Sequence, residues 1–330
     1  MGESNASLVT VSDIFGVGKI AESAAAKRLA DAVCHGAGRL VNPWFLKRET
    51  RTILQLQKEA SDSLSNRFSG ELTLADRAQL TVGFDQLLAQ QNREQISRIA
   101  IDDLRSDPLI YEGGGKISTD WLAMFWKNAE NVSHKEMQVL WAKVLARKAK
   151  LPREISPRTV QLLSTLTYEE ATMIQGIAPF VVSFHVTEGE YSSKVGGTFT
   201  SIGQYQGTFS IPTEAKKTFE NEAYRLLPQY DRNALDAAGV MQSANGWASE
   251  YWTNYDSEVQ LSIGCTRFCI SGLPLPNKRY EKHYLLGSGS GFTLEGHELV
   301  QVCGMAADHG LVSALKCVLN VANCDLVKVV

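Results

Sequence analysis

At 330 residues, with 44% hydrophobic and 21% charged side chains, the chain has plain globular composition, which argues against disorder or a fibre and leaves room for two domains. A formal net charge of −3 does not suit a chain built mainly to hold nucleic acid, since such chains are more often basic. No uncharged apolar run reaches the roughly 18 to 20 residues that span a bilayer. Met1 to Val11 lacks the basic and apolar regions of a signal peptide, so a cytoplasmic chain is expected.

In chain order, the first 12 residues are polar and loose by composition. Lys19 to Leu40 reads as a small-residue helix with Ala21, Ala25, Leu29, Ala32, Gly36 and Leu40 along one face. Pro43 breaks it, and Trp44 to Ser65 forms a second helix. Leu74 to Leu104 is a third, and Gly113 to Gly115 marks a flexible connection. Ser133 to Glu136 has the spacing of a capping box, followed by Met137, Leu140, Trp141, Val144 and Leu145 at i, i+3, i+4, i+7 and i+8. Pro152 stops that helix. Ser156-Pro157 supplies an N-cap followed by a first-turn proline, and Thr167 to Glu170 is a second capping box, opening a helix that Pro179 ends.

Beyond Pro179, FVVSFHVT and VGGTFTSIGQYQGTFSI alternate apolar with polar or β-branched residues, which predicts short strands. Thr213 is expected to cap a helix through Leu227, and Asp231 another that stops at Gly239. Glu258 to Ile270 and Tyr280 to Leu286 read as strands ahead of closing helices. Helix, helix, strand pair and closing helix is the order of a winged-helix-like part, with Gly287 to Gly291 as a loop near its wing. The expected fold class is mainly α (α+β): amphipathic helices over 1–112, a helical core over 113–180 and a mixed part over 181–330.

Two places stand out as candidate sites. Lys143, Arg147, Lys148, Lys150, Arg153 and Arg158 form a basic stretch with only Glu154 against it, suited to phosphates or an acidic partner surface. Cations in a last helical turn also complement the helix dipole, and that solvated-end reading is favoured. The small-residue face from Ala21 to Leu40 suits close helix association or a lipid surface. Docking onto the chain's own bundle or a second subunit is the favoured reading there.

Catalytic patterns are weak. GSGSG lacks the dinucleotide fingerprint and no P-loop Lys-Ser/Thr exists. The spacings of His283, His297 and Cys303 match no zinc pattern, and His297-Glu298 is not HExxH. The six cysteines form no CxxC pair, so reduced, mostly buried thiols are expected. No enzyme, cofactor or metal is predicted.

VSHKEMQVLWAKVLARKAKLPREISPRTVQLLSTLTYEEA resembles the core of a bacterial family, domain of unknown function 2806. Ile20 to Arg48, the Gln90-Gln91-Asn92 helix and Phe292 to Leu299 resemble other elements of that family. The match departs at a Pro-Gly turn, where Pro152-Arg153 stands. The resemblance marks Ser133, Glu136, Met137, Trp141, Ser156 and Arg158 as core structural positions. A similar N-terminal and LWA-type pattern occurs in proteins named abortive-infection alpha, which implies phage defence by analogy. The expected function is therefore a non-enzymatic association protein of abortive-infection type, working through self, partner or inner-membrane contact. The alternative is a winged-helix nucleic-acid-binding regulator.

Overall fold

The computed structural model describes residues 28–29, 73–106, 116–185, 197–198, 201–205, 212–249, 259–272 and 284–329. The chain is mainly helical with an antiparallel sheet of short strands. It divides into two compact units, Met1–Val160 and Gln161–Val330. The 113–180 segment expected to form one region is thus shared between them.

In the first unit, α1 (Leu74–Ser106), α2 (Thr119–Ala129) and α3 (Lys135–Lys150) form a bundle in which α1 packs on both others. The predicted α3 stripe is buried from Met137 through Leu145. Its Trp141 meets Phe125 of α2 edge-on at 5.2 Å, and Phe125 in turn stacks on Trp121 of the same helix, ring centroids 5.2 Å apart. Such aromatic pairs add to the area they bury.

The α3 start corrects the sequence reading. His134, not Ser133, is the N-cap, with no side-chain cap bond. Glu136 turns to the His134 ring, 3.0 Å from Nδ1, so the expected capping box is absent there. Helix α4 (Pro157–Thr165) does begin as predicted. Ser156 Oγ accepts from the Thr159 N–H at 3.2 Å. Between α3 and α4 the chain turns at Pro152–Glu154, with Glu154 N–H donating to Leu151 O at 3.0 Å. Among the described residues Asn323 is the non-glycine with positive φ, so this turn needs no glycine at position 153.

The second unit begins within α4 and continues into α5 (Tyr168–Ile177), whose Thr167–Glu170 capping box forms in both directions. The strands are β1 (Val181–His185), β2 (Gly197–Thr198), β3 (Ser201–Tyr205), β4 (Met241–Ser249), β5 (Val259–Ile263), β6 (Thr266–Ser271), β7 (Tyr284–Phe292) and β8 (Asp325–Lys328). They form one sheet in the order β3-β7-β2-β1-β5-β6-β8, with β4 also on β7, and every pairing is antiparallel. Helices α6 (Thr213–Leu226), α7 (Arg232–Ala237), α8 (Leu294–Cys303) and α9 (His309–Val321) complete it.

Period-2 alternation sorts the two sheet faces. Val182, Leu261, Ile263, Phe268, Ile270 and Leu326 share a core with Phe219 of α6 and with Leu311, Leu315 and Val318 of α9. Ser183 and its cross-strand partner Ser262 are buried with opposite parity. Ser183 meets α8 there.

Several expectations shift in this unit. The Glu258–Ile270 segment is a hairpin rather than one strand. Its turn holds Gly264 at φ 55, where a Cβ would lie 2.4 Å from Met305 O. Gly287 to Gly291 is not a loop but lies inside β7, which pairs with β2, β3 and β4. Thr213 is the first helical residue of α6 and Pro212 its N-cap. The helix–helix–strand order is present, yet its strands belong to an eight-stranded sheet rather than to a separate wing.

Candidate functional site

The basic stretch is drawn into the fold of the first unit. Lys148 is buried; its Nζ donates to Ile155 O at 2.6 Å and lies 5.1 Å from the Trp121 ring centroid. Arg147 is bonded to Glu154 at 2.7 Å, and Lys150 lies 3.6 Å from Asp103. Lys143 is half-buried, while Arg153 and Arg158 are exposed. Arg147, Lys148 and Lys150, in the last turn of α3, thus close the Pro152 turn and join α3 to α1.

Of the candidate association helix, Leu29 is within the described residues; Ala21, Ala25, Ala32, Gly36 and Leu40 lie outside them. Leu29 is fully buried, and the neighbouring Arg28 donates from Nη1 to Ala149 O at 3.3 Å. That carbonyl belongs to the last turn of α3, which has no intrahelical partner for it. At this point the segment docks on the chain's own bundle.

In the second unit, Ser183 Oγ and His297 Nε2 are hydrogen-bonded at 2.7 Å, a spacing that also serves a nucleophile and its base. Both are buried, at 3% and 8% exposure. Gln301 Nε2 lies 3.4 Å from the same ring nitrogen. The pair ties α8 to β1. The residues around it do the same for β4: Thr293 caps α8 by accepting from Gly296 N–H at 2.9 Å and donates to Gly239 O at 2.8 Å. Gly296 sits so close to the strand entry that a Cβ would stand 2.0 Å from Val240 O. The Phe292–Leu299 element is a packing device.

A surface the sequence reading missed lies between α6 and α9. It is a cleft of about 490 Å³. From α6 it is lined by Ala215, Thr218, Phe219, Glu222, Arg225 and Leu226. From α9 come Gly310, Ser313, Ala314, Cys317, Val318 and Val321. Each set recurs at three- and four-residue spacing, so each is one helical stripe. A Cβ on Gly310 would lie 2.8 Å from Leu226 Cδ2, which sets the start of α9 beside the end of α6 and makes the helices antiparallel. Small residues at Gly310, Ser313, Ala314 and Cys317 open the groove. They were legible as a stripe in GLVSALKC; that α6 lies alongside was not.

Its charged rim is internally paired. Arg225 donates from Nε and Nη2 to Glu222 Oε2 at 3.0 and 2.6 Å, and this bond raises the guanidinium pKa above its ordinary value. Cys317 is an exposed free thiol in the groove, and Val321 is 55% exposed.

The model of one family, the protein of unknown function DUF2806, matches residues 76–316. The chain belongs to the DUF2806 family. No curated protein and no solved structure matches it. The DUF2806 match takes in most of α1 through the first part of α9; it covers the Ser183–His297 tie and the α6 side of the groove, while Cys317, Val318 and Val321 lie beyond it.

Proposed function

We propose that this DUF2806 chain is a non-enzymatic association protein of abortive-infection or phage-defence type, and that the α6–α9 groove is where association occurs. The observation that carries the reading is the groove itself: two helices line a surface cleft with small and apolar residues, of which Val321 is 55% exposed while Phe219 and Val318 form its buried floor. Grooves of this kind accept another helical surface through side chains spaced by three and four residues. The defence role is supported by the abortive-infection-like pattern around Ile20–Arg48 and Leu140–Ala142. Burial of Leu29 supports docking, not lipid contact, at that residue. No helix of the described residues is long and apolar enough to cross a membrane. A nucleic-acid-binding winged helix draws less support, because Arg147, Lys148 and Lys150 are engaged within the first unit.

The test is phage challenge of bacteria expressing the full chain or its Val321→Glu variant, which places a charge on an exposed groove residue. The chain is expected to lower plaque counts, and the variant to lose that effect at equal protein level. Unchanged plaque counts with the wild-type chain across a phage panel overturn the defence role; a fully protective Val321→Glu variant overturns the groove's part in it.

A further inference from the structure

Helix α1 changes character along its length. In its C-terminal half Ile96, Ala100, Ile101 and Leu104 are buried in the bundle. From Leu74 to Gln91 no described side chain is buried, and Leu74, Phe84 and Leu88 stand 76, 53 and 55% exposed. With Thr81 among them they recur by seven, three and four residues, which makes one stripe of coiled-coil spacing. It runs roughly 21 Å along the helix. A helical stretch of this length is marginal in water without an apolar face packed on something.

The chain ahead of α1 is fixed at both ends. Arg28 donates to Ala149 O in the last turn of α3. Helix α3 runs parallel to α1, because Gln138 near its start bonds Asn92, and Lys150 at its end meets Asp103. Arg28 therefore lies near the level of Asp103. Leu74 opens α1 at the other end, 29 residues before Asp103, or roughly 43 Å away along the axis. Residues 30–72 thus have to return in the direction opposite to α1 before the chain enters it.

Their sequence carries a face of the right kind. In Trp44–Ser65, which lies outside the described residues, Leu46, Ile53, Leu56, Ala60 and Leu64 recur by seven, three, four and four, one helical stripe. At helical rise that segment spans roughly 33 Å. The link to Leu74 is short and holds Ser69-Gly70, and connections of that length set consecutive helices side by side and antiparallel.

We infer that the occupant of the α1 stripe is the Trp44–Ser65 segment of the same chain, paired with α1 as an antiparallel helical hairpin. Leu64 then meets Leu74, Leu56 meets Thr81, and Ile53 meets Phe84. The pairing turns the apolar face of Trp44–Ser65 toward the first unit and away from lipid, and it is independent of the α6–α9 groove.

Hydrogen exchange read by mass spectrometry on the full chain, at about 1 and 50 μM, tests the pairing. Amides of 44–65 are expected to be protected to the same degree at both concentrations. Phe84→Glu with Leu88→Glu, both at exposed positions, is expected to lower that protection by roughly tenfold or more, with Ile96 to Leu104 as protected as before. Ile53→Glu with Leu56→Glu is expected to do the same to amides of 74–88. Unprotected 44–65 amides overturn the hairpin, as does protection indifferent to the Phe84→Glu and Leu88→Glu pair. Protection that appears only at the higher concentration overturns it in favour of a second copy, and protection gained only with phosphatidylglycerol vesicles overturns it in favour of a lipid surface.

Discussion

Gln138 of α3 donates from Nε2 to Asn92 Oδ1 of α1 at 2.9 Å, with both residues buried. The same amide donates to Val132 O at 2.8 Å, while Asn92 Nδ2 donates to Glu130 O at 2.8 Å. Two side chains thus satisfy the backbone of the α2–α3 turn and fix α1 against it, with Arg93 paired to Glu130 alongside. Removing either amide leaves buried polar groups without partners. Gln138→Ala and Asn92→Ala are each expected to cost about 1–3 kcal/mol. The double variant is expected to cost less than their sum, because each single change already breaks the shared bond. Urea unfolding of the four proteins in the cycle measures this; strict additivity would mean that the two amides act independently.

Close approach, rather than turn geometry, makes Gly296 necessary. Its missing Cβ is the space that Val240 O occupies, at 2.0 Å from where the atom would be. Gly296→Ala therefore has to push α8 off the start of β4, at a cost of about 3 kcal/mol. Gly83 offers the contrast: it lies within α1 and nothing is within 4 Å of its Cβ position. Gly83→Ala is expected to stabilise by roughly 0.4–1 kcal/mol, by reducing the freedom of the unfolded chain. Thermal melts of both variants should move in opposite directions.

How far the sequence carried can be read from such positions. The α3 stripe, the Ser156 cap and the Thr167 box were legible because each is decided within a few residues by helical spacing and cap chemistry. Ser133 failed because His134 competes for the same role one residue later and draws Glu136 to its ring. The hairpin at Gly264-Cys265 was read through because no Asn-Gly or Asp-Gly pair marks it, although a glycine at the first central position suits a two-residue turn. Gly287 to Gly291 looked like a loop by propensity; pairing on both edges of β7 overrides that preference, as tertiary context does for strands in general. Strands β4 and β8 carry no clean alternation and are set by the neighbours they pair with. For the groove, the stripe on α9 was visible, but the antiparallel placement of α6 was not a local property.

Position within the basic stretch separates structural from solvent-facing charge. Lys148→Met keeps the stem of the side chain but removes the donor to Ile155 O and the cation over Trp121. A loss of about 1–3 kcal/mol is expected. Arg153 and Arg158 are exposed, so the double change to Glu should alter stability by no more than about 0.5 kcal/mol. That pair, not Lys148, is the sound probe of phosphate contact. On a nucleic-acid-binding chain the double reversal would weaken DNA or RNA retention and flatten its salt dependence. The engaged geometry of Arg147, Lys148 and Lys150 instead predicts no mobility shift for either wild type or variant at low salt. A salt-sensitive shift lost on reversal would restore the regulator reading.

The thiols give a pH-dependent prediction. Burial pushes the Cys324 thiol above its ordinary pKa, and the adjacent Asp325 adds to the rise by opposing a second negative charge. A thiol with a raised folded pKa holds its proton after the unfolded chain has begun to lose it. Its contribution is therefore complete below the unfolded thiol range, near pH 8.5, and is lost as pH climbs through the higher folded value. Stability should fall on the alkaline side, and Cys324→Ala should flatten that part of the profile in urea titrations taken at successive pH values. Reactivity should follow the same order. Cys317 and Cys265 are exposed and should label promptly with a thiol reagent at mildly alkaline pH, whereas Cys324 should label at the rate of unfolding, because the thiolate is the reacting form. If Cys324 labels as fast as Cys317 in the folded chain, the β8 end of the second unit opens far more readily than its packing against Gly272 and the core implies.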